Sequence, residues 1–406
     1  MAEGGDSVVL DSVTRARELL RDVVLDTPLV SSPPLARLAG GPVHFKCENL
    51  QRAGSFKVRG AYVRIAGLSA AERARGVVAA SAGNHAQGVA LGAKLLGSRA
   101  TVFMPEGAPL PKVAATRSYG AEVVFAGPTV DSALTEARRY ADEHDAVFIH
   151  PFDHPDVIAG QGTIGLEILE QCPDVATVVT PVGGGGLAAG MALAVKAKAP
   201  HVKVVGVQAE GAAAFPPSLA VGEPVRIRQQ STMADGIAVG MPGELTYRLV
   251  AELLDGVITV SEESLSQALL FALERAKMLV EPAGGAGLAA LLDQPHHFEP
   301  PVVVLLSGGN IDPLLLAKVL RHGLAAAGRY LAFRCRLPDR PGTLVALLAD
   351  LADLGANVLD VVHERAAARL DLGEAEVFLQ VETRGPEHCD EVLGHLRLRG
   401  YALTFT

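Results

Sequence analysis

Several residue types are scarce in this 406-residue chain, and each scarcity excludes a class of function. Tryptophan is absent and aromatic residues make up 4%, so a stacking surface for single-stranded nucleic acid is not expected. Positive charge is also in deficit, because 36 Lys and Arg face 45 Asp and Glu and leave a net charge of −9. An acidic chain repels phosphate backbones, so we expect no nucleic-acid partner.

Signals for export or membrane insertion are missing as well. The segment Met1–Asp6 has no basic stretch, and the longest apolar run, 181–195, is interrupted by glycines and ends at Lys196. The four cysteines have no C-x-x-C spacing, which is typical of reduced thiols in the cytoplasm: Cys47, Cys172, Cys335 and Cys389. We therefore expect a cytoplasmic protein with no membrane partner.

Short apolar runs alternate with helical patterns through the middle of the chain. Strands are predicted over 76–80, 100–104, 122–125, 177–180, 202–208 and 301–306. Helices are predicted over 85–96, 111–119, 129–143 and 187–198. The strands are continuously apolar, which is typical of parallel sheets covered on both faces, so the sequence predicts an α/β fold. Ligands of such sheets bind at the loops that follow the strands.

The pattern changes near residue 328 and predicts a separate carboxy-terminal domain, 328–406, after a first domain of 1–327. Its order is strand, helix, strand, strand, helix, strand, which is the ferredoxin-like βαββαβ arrangement. The predicted elements are 328–337, 343–354, 357–364, 374–381, 386–399 and 401–406, with a connecting stretch over 365–371.

Glycine is abundant, with 43 residues, and four of them, Gly183 to Gly186, join a predicted strand to a helix. Such a junction offers backbone N–H groups and the positive end of a helix dipole to an anion, most often phosphate. The run up to Ala188 also fits the dinucleotide pattern G-x-G-x-x-A, and Glu210 follows a later strand, where a ribose-binding acid is expected. From this loop alone, a nicotinamide dinucleotide and a monophosphate cofactor are both open.

Lys57 stands between Phe56 and Val58 at the start of a predicted helix. Desolvation, the helix N-terminus and the like charge of Arg59 are expected to lower its pKa, and a neutral amine is what Schiff-base chemistry requires. Two further polar, glycine-bearing loops follow predicted strands, at 81–85 and 307–310. Together these features favour pyridoxal 5′-phosphate bound to Lys57.

Five motifs together resemble the threonine dehydratases (threonine ammonia-lyases), which are fold-type II pyridoxal-phosphate enzymes. The motifs lie in the family's order, and the resemblance covers residues from about 25 to 325: Ser55-Phe56-Lys57-x-Arg59-Gly60-Ala61, Ser81 to Gly88, Gly183 to Gly186, Glu281-Pro282-Ala283-Gly284 and Ser307-Gly308-Gly309-Asn310. The resemblance displaces the dinucleotide alternative and implies two open parallel α/β subdomains, as in the tryptophan synthase β family.

The resemblance also implies a role for each matching residue. Lys57 would form the Schiff base and then take the substrate α-proton. The remaining cofactor contacts would be Phe56, Asn84, Gly183, Gly184, Gly185, Gly186, Leu187 and Ser307. The substrate would be bound by Ser81, Gly83, Asn84, His85 and Gly236. The implied reaction is β-elimination of L-threonine to 2-oxobutanoate and ammonia, with L-serine giving pyruvate as a secondary activity.

Two departures from related sequences bear on the choice of activity. Serine racemases place an acid/base serine two positions before the motif's asparagine, where this chain has Ala82, so dehydration is favoured. Glu210 matches one ligand of the divalent cation found in some relatives, but Phe215 and Pro216 stand where a further carboxylate is expected, and we predict no metal. A serine racemase or serine dehydratase-like enzyme and a weakly catalytic amino-acid sensor are the alternatives.

The carboxy-terminal domain resembles the ACT domains. Arg340, Pro341, Gly342 and Asn357 match the family's site for a free amino acid. The resemblance implies an allosteric effector, with isoleucine as the candidate for a biosynthetic enzyme and valine or another signal for a degradative one. ACT domains usually pair side by side, so a homodimer or homotetramer is implied.

Overall fold

The computed structural model describes residues 8–228, 231–365 and 370–405. Three sequence predictions therefore reach outside the described residues, namely Met1–Asp6, part of the connecting stretch at 365–371, and Thr406 of the last strand. The chain divides into two compact units, residues 1–315 and 316–406. No helix in the described part of the chain combines the length and apolar character needed to cross a membrane.

The described residues contain fourteen labelled strands and sixteen labelled α-helices. The strands are β1 Leu29–Ser31, β2 Val43–Lys46, β3 Val77–Ala80, β4 Ala100–Met104, β5 Glu122–Phe125, β6 Val147–Phe148, β7 Thr177–Pro181, β8 Lys203–Ala209, β9 Gly256–Val260, β10 Val302–Leu305, β11 Tyr330–Pro338, β12 Asn357–Glu364, β13 Glu374–Glu382 and β14 Ala402–Thr404. The helices are α1 Leu10–Leu20, α2 Pro33–Ala39, α3 Lys57–Ala66, α4 Ala70–Arg75, α5 Asn84–Leu95, α6 Leu110–Ser118, α7 Val130–Glu143, α8 Pro155–Gln171, α9 Gly186–Lys198, α10 Phe215–Val221, α11 Glu244–Leu253, α12 Glu262–Phe271, α13 Ala286–Asp293, α14 Pro313–Ala326, α15 Thr343–Asp353 and α16 Pro386–Leu398.

The first unit contains a six-stranded sheet with the order β1-β2-β10-β7-β8-β9. Only the edge strand β1 runs antiparallel; the other neighbouring strands are parallel. Helices cover both faces, so Val304 packs with α12 and α13 while Val303 packs with α8 and α9. Because both faces are buried, successive residues of the central strand β10 are all apolar, and the predicted α/β fold is confirmed.

A second, four-stranded parallel sheet lies in the same unit, with the order β5-β4-β3-β6. One face packs against α3, α5 and α6, and the other against α7. Strand β3 ends at Ala80, directly before the polar loop that opens α5. Parallel strands bring such loops to one edge of a sheet, which is how this sheet presents residues to a ligand.

Four fully or nearly buried charges connect β2, α3 and α8 in the same unit: Lys46, Glu48, Arg59 and Glu167. Arg59 donates to Glu48 at 2.8 and 2.9 Å and also pairs with Glu167. The ammonium of Lys46 lies 2.6 Å from Glu167. Two positive and two negative charges balance, which is the condition under which buried ions are tolerated. We call this group the buried charge cluster.

The second unit, described by itself, carries a four-stranded antiparallel sheet with the order β12-β13-β11-β14. Helices α15 and α16 pack on one face around Phe333, Leu347 and Leu379. This is the predicted ferredoxin-like arrangement, and each predicted element is present within a few residues of its expected bounds.

Candidate active site

Lys57 is the first residue of α3, as the sequence predicts. Its ammonium donates to the carbonyl oxygen of Pro151 at 3.0 Å and lies 5.1 Å from the centre of the Phe56 ring. Burial of the ammonium lowers the pKa of Lys57 to about 8, and the negative charge of Glu281 opposes this change. A substantial neutral fraction near physiological pH suits an amine that must attack a carbonyl or accept a proton.

Arg59 does not act on Lys57 as expected. The guanidinium belongs to the buried charge cluster, where Glu48 and Glu167 neutralise it. Burial is therefore the influence that lowers the pKa of Lys57, and Arg59 is not among the causes. The expectation of like-charge repulsion is wrong because the sequence does not show which carboxylates fold against Arg59.

Asn84 begins α5 and is held by two side chains from distant parts of the chain. Its Nδ2 donates to Oε1 of Glu281 at 2.5 Å, and its Oδ1 accepts from Nδ2 of Asn310 at 2.8 Å. Burial raises the pKa of Glu281 to about 7, with the negative charge of Asp235 as a further cause. A carboxyl with a raised pKa next to a lysine with a lowered one is a common sign of a functional site.

The glycine loop runs from the end of β7 into α9, as predicted. A side chain at Gly184 would collide with the Phe152 ring, and a Cβ at Gly186 would lie 2.7 Å from the Phe152 carbonyl oxygen. Gly185 has a φ of +99°, which favours glycine, and its Cβ would lie 2.8 Å from the Phe215 ring. Two phenylalanines, Phe152 and Phe215, therefore fill the space in which side chains on this loop would lie. The loop ends at the N-terminus of α9.

His85 is buried, and its Nε2 donates to the carbonyl oxygen of Ile149 across 2.9 Å. Burial lowers its pKa to about 3, so His85 is neutral at physiological pH and supplies no charge to a carboxylate. Nearby, the N–H of Gly83 donates to Oγ of Ser81 at 3.1 Å. The positive end of α5 is therefore the local feature that favours an anion at this loop.

Ser307 and Gly236 lie on loops of the six-stranded sheet. The buried Ser307 accepts the Phe56 N–H through its carbonyl oxygen at 3.2 Å. A Cβ at Gly236 would lie 2.9 Å from Cβ of Ala283, two residues after Glu281. These contacts bring both residues close to the Lys57 and Asn84 segments.

The contacts form a closed path around one site. Lys57 touches Pro151, and the following residue, Phe152, touches Gly184. Gly183 lies against Ile237, the residue after Gly236, and Gly236 lies against Ala283. Two residues before Ala283, Glu281 accepts a hydrogen bond from Asn84. Asn310 then returns to the Lys57 segment by donating to the carbonyl oxygen of Ala53 at 2.7 Å. The structure thus brings the predicted lysine, asparagine, serine and glycine loop together.

Sequence reasoning missed several participants. Pro151 and Phe152 lie just beyond β6, which spans only two residues and gives no strand signal. Thr246, at the start of α11, donates its hydroxyl to the Gly184 carbonyl oxygen at 2.6 Å. Glu281 and Asn310 were within recognised motifs but had no role assigned. Neither Phe152 nor Thr246 is marked by a local signal in the sequence.

The residues present suit pyridoxal phosphate. Lys57 offers an amine with a lowered pKa, and the glycine loop with α9 offers an anion cradle. Asn84 keeps one N–H that makes no hydrogen bond among the described residues, and Ser307 offers a neutral hydroxyl. This donor set can hold a phosphate, a phenolic oxygen and a pyridine nitrogen.

Glu210 lies in a short 3₁₀ turn, Glu210–Ala212, that follows β8. Phe215 is buried and backs the glycine loop, which gives this position a packing role. Within the described ranges, no group of three or more His, Cys, Asp or Glu side chains could hold a metal ion.

The predicted effector residues lie in the second unit. Arg340, Pro341 and Gly342 form the turn before α15, and Gly342 has a φ of +92° with open space beside it. Asn357 begins the exposed strand β12 and donates to Glu382 at 3.3 Å.

Comparison with known proteins places the chain among relatives of defined chemistry. A family model described as pyridoxal-phosphate dependent enzyme matches residues 20–308. The L-threonine ammonia-lyase of Thermotoga maritima is 47% identical over 394 residues, covering 97% of this chain and 98% of that protein.

Two solved structures show the same fold. Threonine deaminase isoform 2 from Solanum lycopersicum has a TM-score of 0.75 at 38% identity, covering 79% of this chain and 94% of that one. Maize serine racemase has a TM-score of 0.73 at 36% identity, covering 78% of this chain and 98% of that one. With the family match and the site geometry together, the chain belongs to the pyridoxal-phosphate dependent enzymes, and pyridoxal phosphate is its cofactor.

Proposed function

We propose that this enzyme is a threonine ammonia-lyase that converts L-threonine to 2-oxobutanoate and ammonia. The observation that carries the proposal is the placement of Lys57, whose amine has a lowered pKa and donates to Pro151, the neighbour of the Phe152 ring that lies against Gly184. The charge that acts on this amine belongs to Glu281, which holds Asn84. The similarity to an L-threonine ammonia-lyase over 97% of the chain supports the same reaction. L-serine, which lacks only the methyl group, gives pyruvate as the secondary reaction.

The bound cofactor withdraws electrons from the α-carbon of the amino acid attached to it. The neutral Lys57 amine accepts the α-proton, and its burial keeps that amine unprotonated at mildly alkaline pH. Ser81, Gly83 and the backbone N–H groups of Asn84 and His85 at the α5 N-terminus bind the substrate carboxylate, because the single ring N–H of neutral His85 is already donated to Ile149. The α-proton taken by Lys57 and the β-hydroxyl together make up the one water that is eliminated, which returns the amine to its neutral form. Hydrolysis of the released enamine takes up one water, so the products are 2-oxobutanoate and ammonia.

Racemisation is the second candidate, because one similar structure is a serine racemase. A racemase needs a proton-transfer group on each face of the cofactor. Ala82 stands at the position that a racemase fills with serine, and its methyl group packs against the apolar core of the second sheet. An alanine can neither give nor take a proton, so elimination is favoured. A weakly catalytic amino-acid sensor is disfavoured because Lys57, Asn84 and Ser307 are all present.

Regulation and assembly complete the proposal. The second unit binds an amino acid, isoleucine or valine, at Arg340, Pro341, Gly342 and Asn357. It also pairs side by side with the same unit of another chain, which gives a homodimer or homotetramer. The ferredoxin-like sheet supports this role. The 1–327 and 328–406 domain division belongs to the proposal. So does a cytoplasmic location, since all four cysteines are free.

Replacing Lys57 by alanine tests the reaction. The variant loses the acceptor of the α-proton, so turnover of threonine falls by about a thousandfold or more. The visible absorbance of cofactor attached to the protein disappears with it. The measurements are 2-oxobutanoate release and the absorption spectrum of the purified enzyme.

Lys94→Ala is the matched control, because Lys94 is exposed at the other end of α5. It retains both the spectrum and the turnover. Wild-type turnover rates of threonine by Lys57→Ala would refute the mechanism. Interconversion of L- and D-serine at rates above dehydration would favour the racemase.

A further inference from the structure

Asn84 belongs to a row of hydrogen bonds that joins Ala53, Asn310, Asn84 and Glu281. The carbonyl group of Ala53 determines which atom donates and which accepts in each of them. The Ala53 oxygen can only accept, so the group of Asn310 that faces it at 2.7 Å is the NH₂. The second hydrogen of that NH₂ donates to Asn84 at 2.8 Å, so the Asn84 atom facing Asn310 is Oδ1. The Asn84 NH₂ is then directed to Glu281, which accepts at 2.5 Å.

This chain leaves one donor unused. Asn84 Nδ2 carries two hydrogens and Glu281 takes one of them; among the described residues the other makes no hydrogen bond. Rotation of the amide by 180° would place Oδ1 against Glu281 and Nδ2 against the Asn310 NH₂, which breaks both bonds. The amide of Asn84 therefore has a single favourable orientation.

Packing fixes the two partners as well. A side chain at Gly54, which has a φ of +67°, would collide with Asn310, so Gly54 makes room for that amide. Glu281 is only 3% exposed, its N–H donates to the Gly308 carbonyl oxygen at 3.0 Å, and its carboxyl lies directly over the Gly308 Cα. Both partners thus lie against glycine backbone that has no room for a Cβ beside them.

We propose that Asn310 and Glu281 are positioning residues that hold the Asn84 amide in one orientation, with its free N–H directed at the phenolic oxygen of the cofactor. The proposal rests on the proposed function for the identity of that oxygen. Neither residue touches the reacting atoms; each acts through Asn84. A donor at the phenolic oxygen affects the tautomer of the bound cofactor, so the absorption spectrum reports the orientation directly.

Asn310→Asp tests the first residue with almost no change in shape. Its carboxylate accepts where the amide donated, so Asn84 then has an acceptor at both position 281 and position 310, and neither orientation of its amide makes both bonds. The amide therefore loses its single favourable orientation, and part of the enzyme presents Oδ1 to the cofactor. We expect the balance of the visible cofactor bands to change and cofactor affinity to fall about tenfold, as for a lost hydrogen bond at a buried polar group. The kcat for threonine falls by a similar factor, with a smaller change in KM.

The double variant Asn310→Asp with Glu281→Gln separates positioning from a merely structural role. The amide introduced at position 281 can donate to Oδ1 of the turned Asn84, while the carboxylate introduced at position 310 accepts from its Nδ2. Both bonds to Asn84 are thereby restored in the reversed orientation. We expect the double variant to regain thermal stability relative to Asn310→Asp but to keep the altered spectrum and weak cofactor binding. Glu281→Gln alone still offers an acceptor oxygen and shows the smaller spectral change.

Recovery of spectrum and cofactor affinity together with stability in the double variant would overturn the proposal, as would a wild-type spectrum in Asn310→Asp. The spectrum and the cofactor titration of apoenzyme use no substrate. They remain decisive if the wild-type enzyme fails to turn over threonine, so failure of the inference and failure of the proposed function are distinguishable. If Asn310→Asp does not fold, the spectrum of Glu281→Leu decides, because removal of the acceptor must alter it.

Discussion

Burial moves the pKa values of Lys57 and Glu281 toward each other. The pKa of the lysine falls to about 8, and that of the carboxyl rises to about 7. Both shifts have the same main cause, because burial disfavours the charged form of either group. Two residues that would ordinarily be fully ionised at neutral pH therefore titrate within the working range of the enzyme.

Capture of pyridoxal phosphate by the apoenzyme should consequently depend on pH near 8. Attack on the cofactor aldehyde requires the neutral amine of Lys57, and a lowered pKa makes that form appear at lower pH. The capture rate should rise with pH and reach its midpoint close to 8, measured by stopped-flow absorbance. A midpoint near the ordinary lysine value of 10.5 would contradict the burial argument.

Glu281→Gln provides the internal control for this pH dependence. The Glu281 charge raises the pKa of Lys57, so its removal should move the midpoint to lower pH. An unchanged midpoint would show that the two groups do not interact.

The sequence predicts individual site residues only where a local pattern marks them. Lys57 stands at a helix start and Asn84 follows a strand, and both positions are visible in the chain. The partners of these residues are not visible, because Asn310 lies 226 residues from Asn84 and Pro151 lies 94 residues from Lys57. Only the fold brings such positions together, which is why the neutralisation of Arg59 was also missed.

At the scale of elements, the glycine loop is determined by the residues behind it. Phe152 occupies the space beside Gly184 and Gly186, while Phe215 occupies the space beside Gly185. Substitution of a glycine in this run therefore requires movement of an aromatic side chain or of the backbone. The sequence explains the four glycines by phosphate binding. The structure adds a second, independent reason why these positions are glycine, namely the aromatic rings packed against them.

Gly184→Ala should therefore weaken cofactor binding. Overpacking of a dense site typically costs about 1–3 kcal/mol, which corresponds to a loss of affinity of about ten- to a hundredfold. Adding Phe152→Ala should recover part of the loss, because it removes the ring that the new methyl group meets. Titration of apoenzyme with pyridoxal phosphate measures both effects.

Gly107→Ala is the comparison variant, since a Cβ at Gly107 meets nothing within 4 Å. Its affinity should equal that of the wild type. If Gly184→Ala bound the cofactor normally, or if the Phe152 change gave no recovery, the packing explanation would fail.

Some of the elements that the sequence does not predict are very short strands or strands with distant partners. Strand β6 has two residues and β1 has three, too few for a periodic pattern. Strand β2 pairs with β10, more than 250 residues later, so its place in the sheet depends on tertiary structure. The predicted strands of the two sheets in the first unit lie within a few residues of their expected bounds, because burial on both sheet faces leaves a continuous apolar signature. The long helices α8 and α14, in contrast, were not predicted.

At the scale of the whole molecule, the chain divides into two compact units, and our proposal places catalysis in the first and amino-acid sensing in the second. Asn357→Ala and Gly342→Asp should raise the concentration of isoleucine or valine needed for half-maximal response by at least about tenfold, while turnover without effector persists. Asp is among the residues that tolerate the left-handed backbone at Gly342, so the second change adds charge at modest strain. Initial rates over a range of effector concentrations give the result.

Glu391→Ala, on the exposed side of α16, should leave the effector response intact. Unchanged response curves in both effector-site variants would refute the assignment of the second unit as an amino-acid sensor.

The buried charge cluster sets the rules for making hybrids of this enzyme with its relatives. Lys46 and Glu48 lie in and just after β2, Arg59 in α3 and Glu167 in α8, so about 120 residues separate the first and last members. A crossover between them from a parent with another charge pattern would strand an ion in the interior, at a cost of about 3–5 kcal/mol. In a hybrid, residues 46 to 167 should therefore come from a single parent, with the crossover points outside this range.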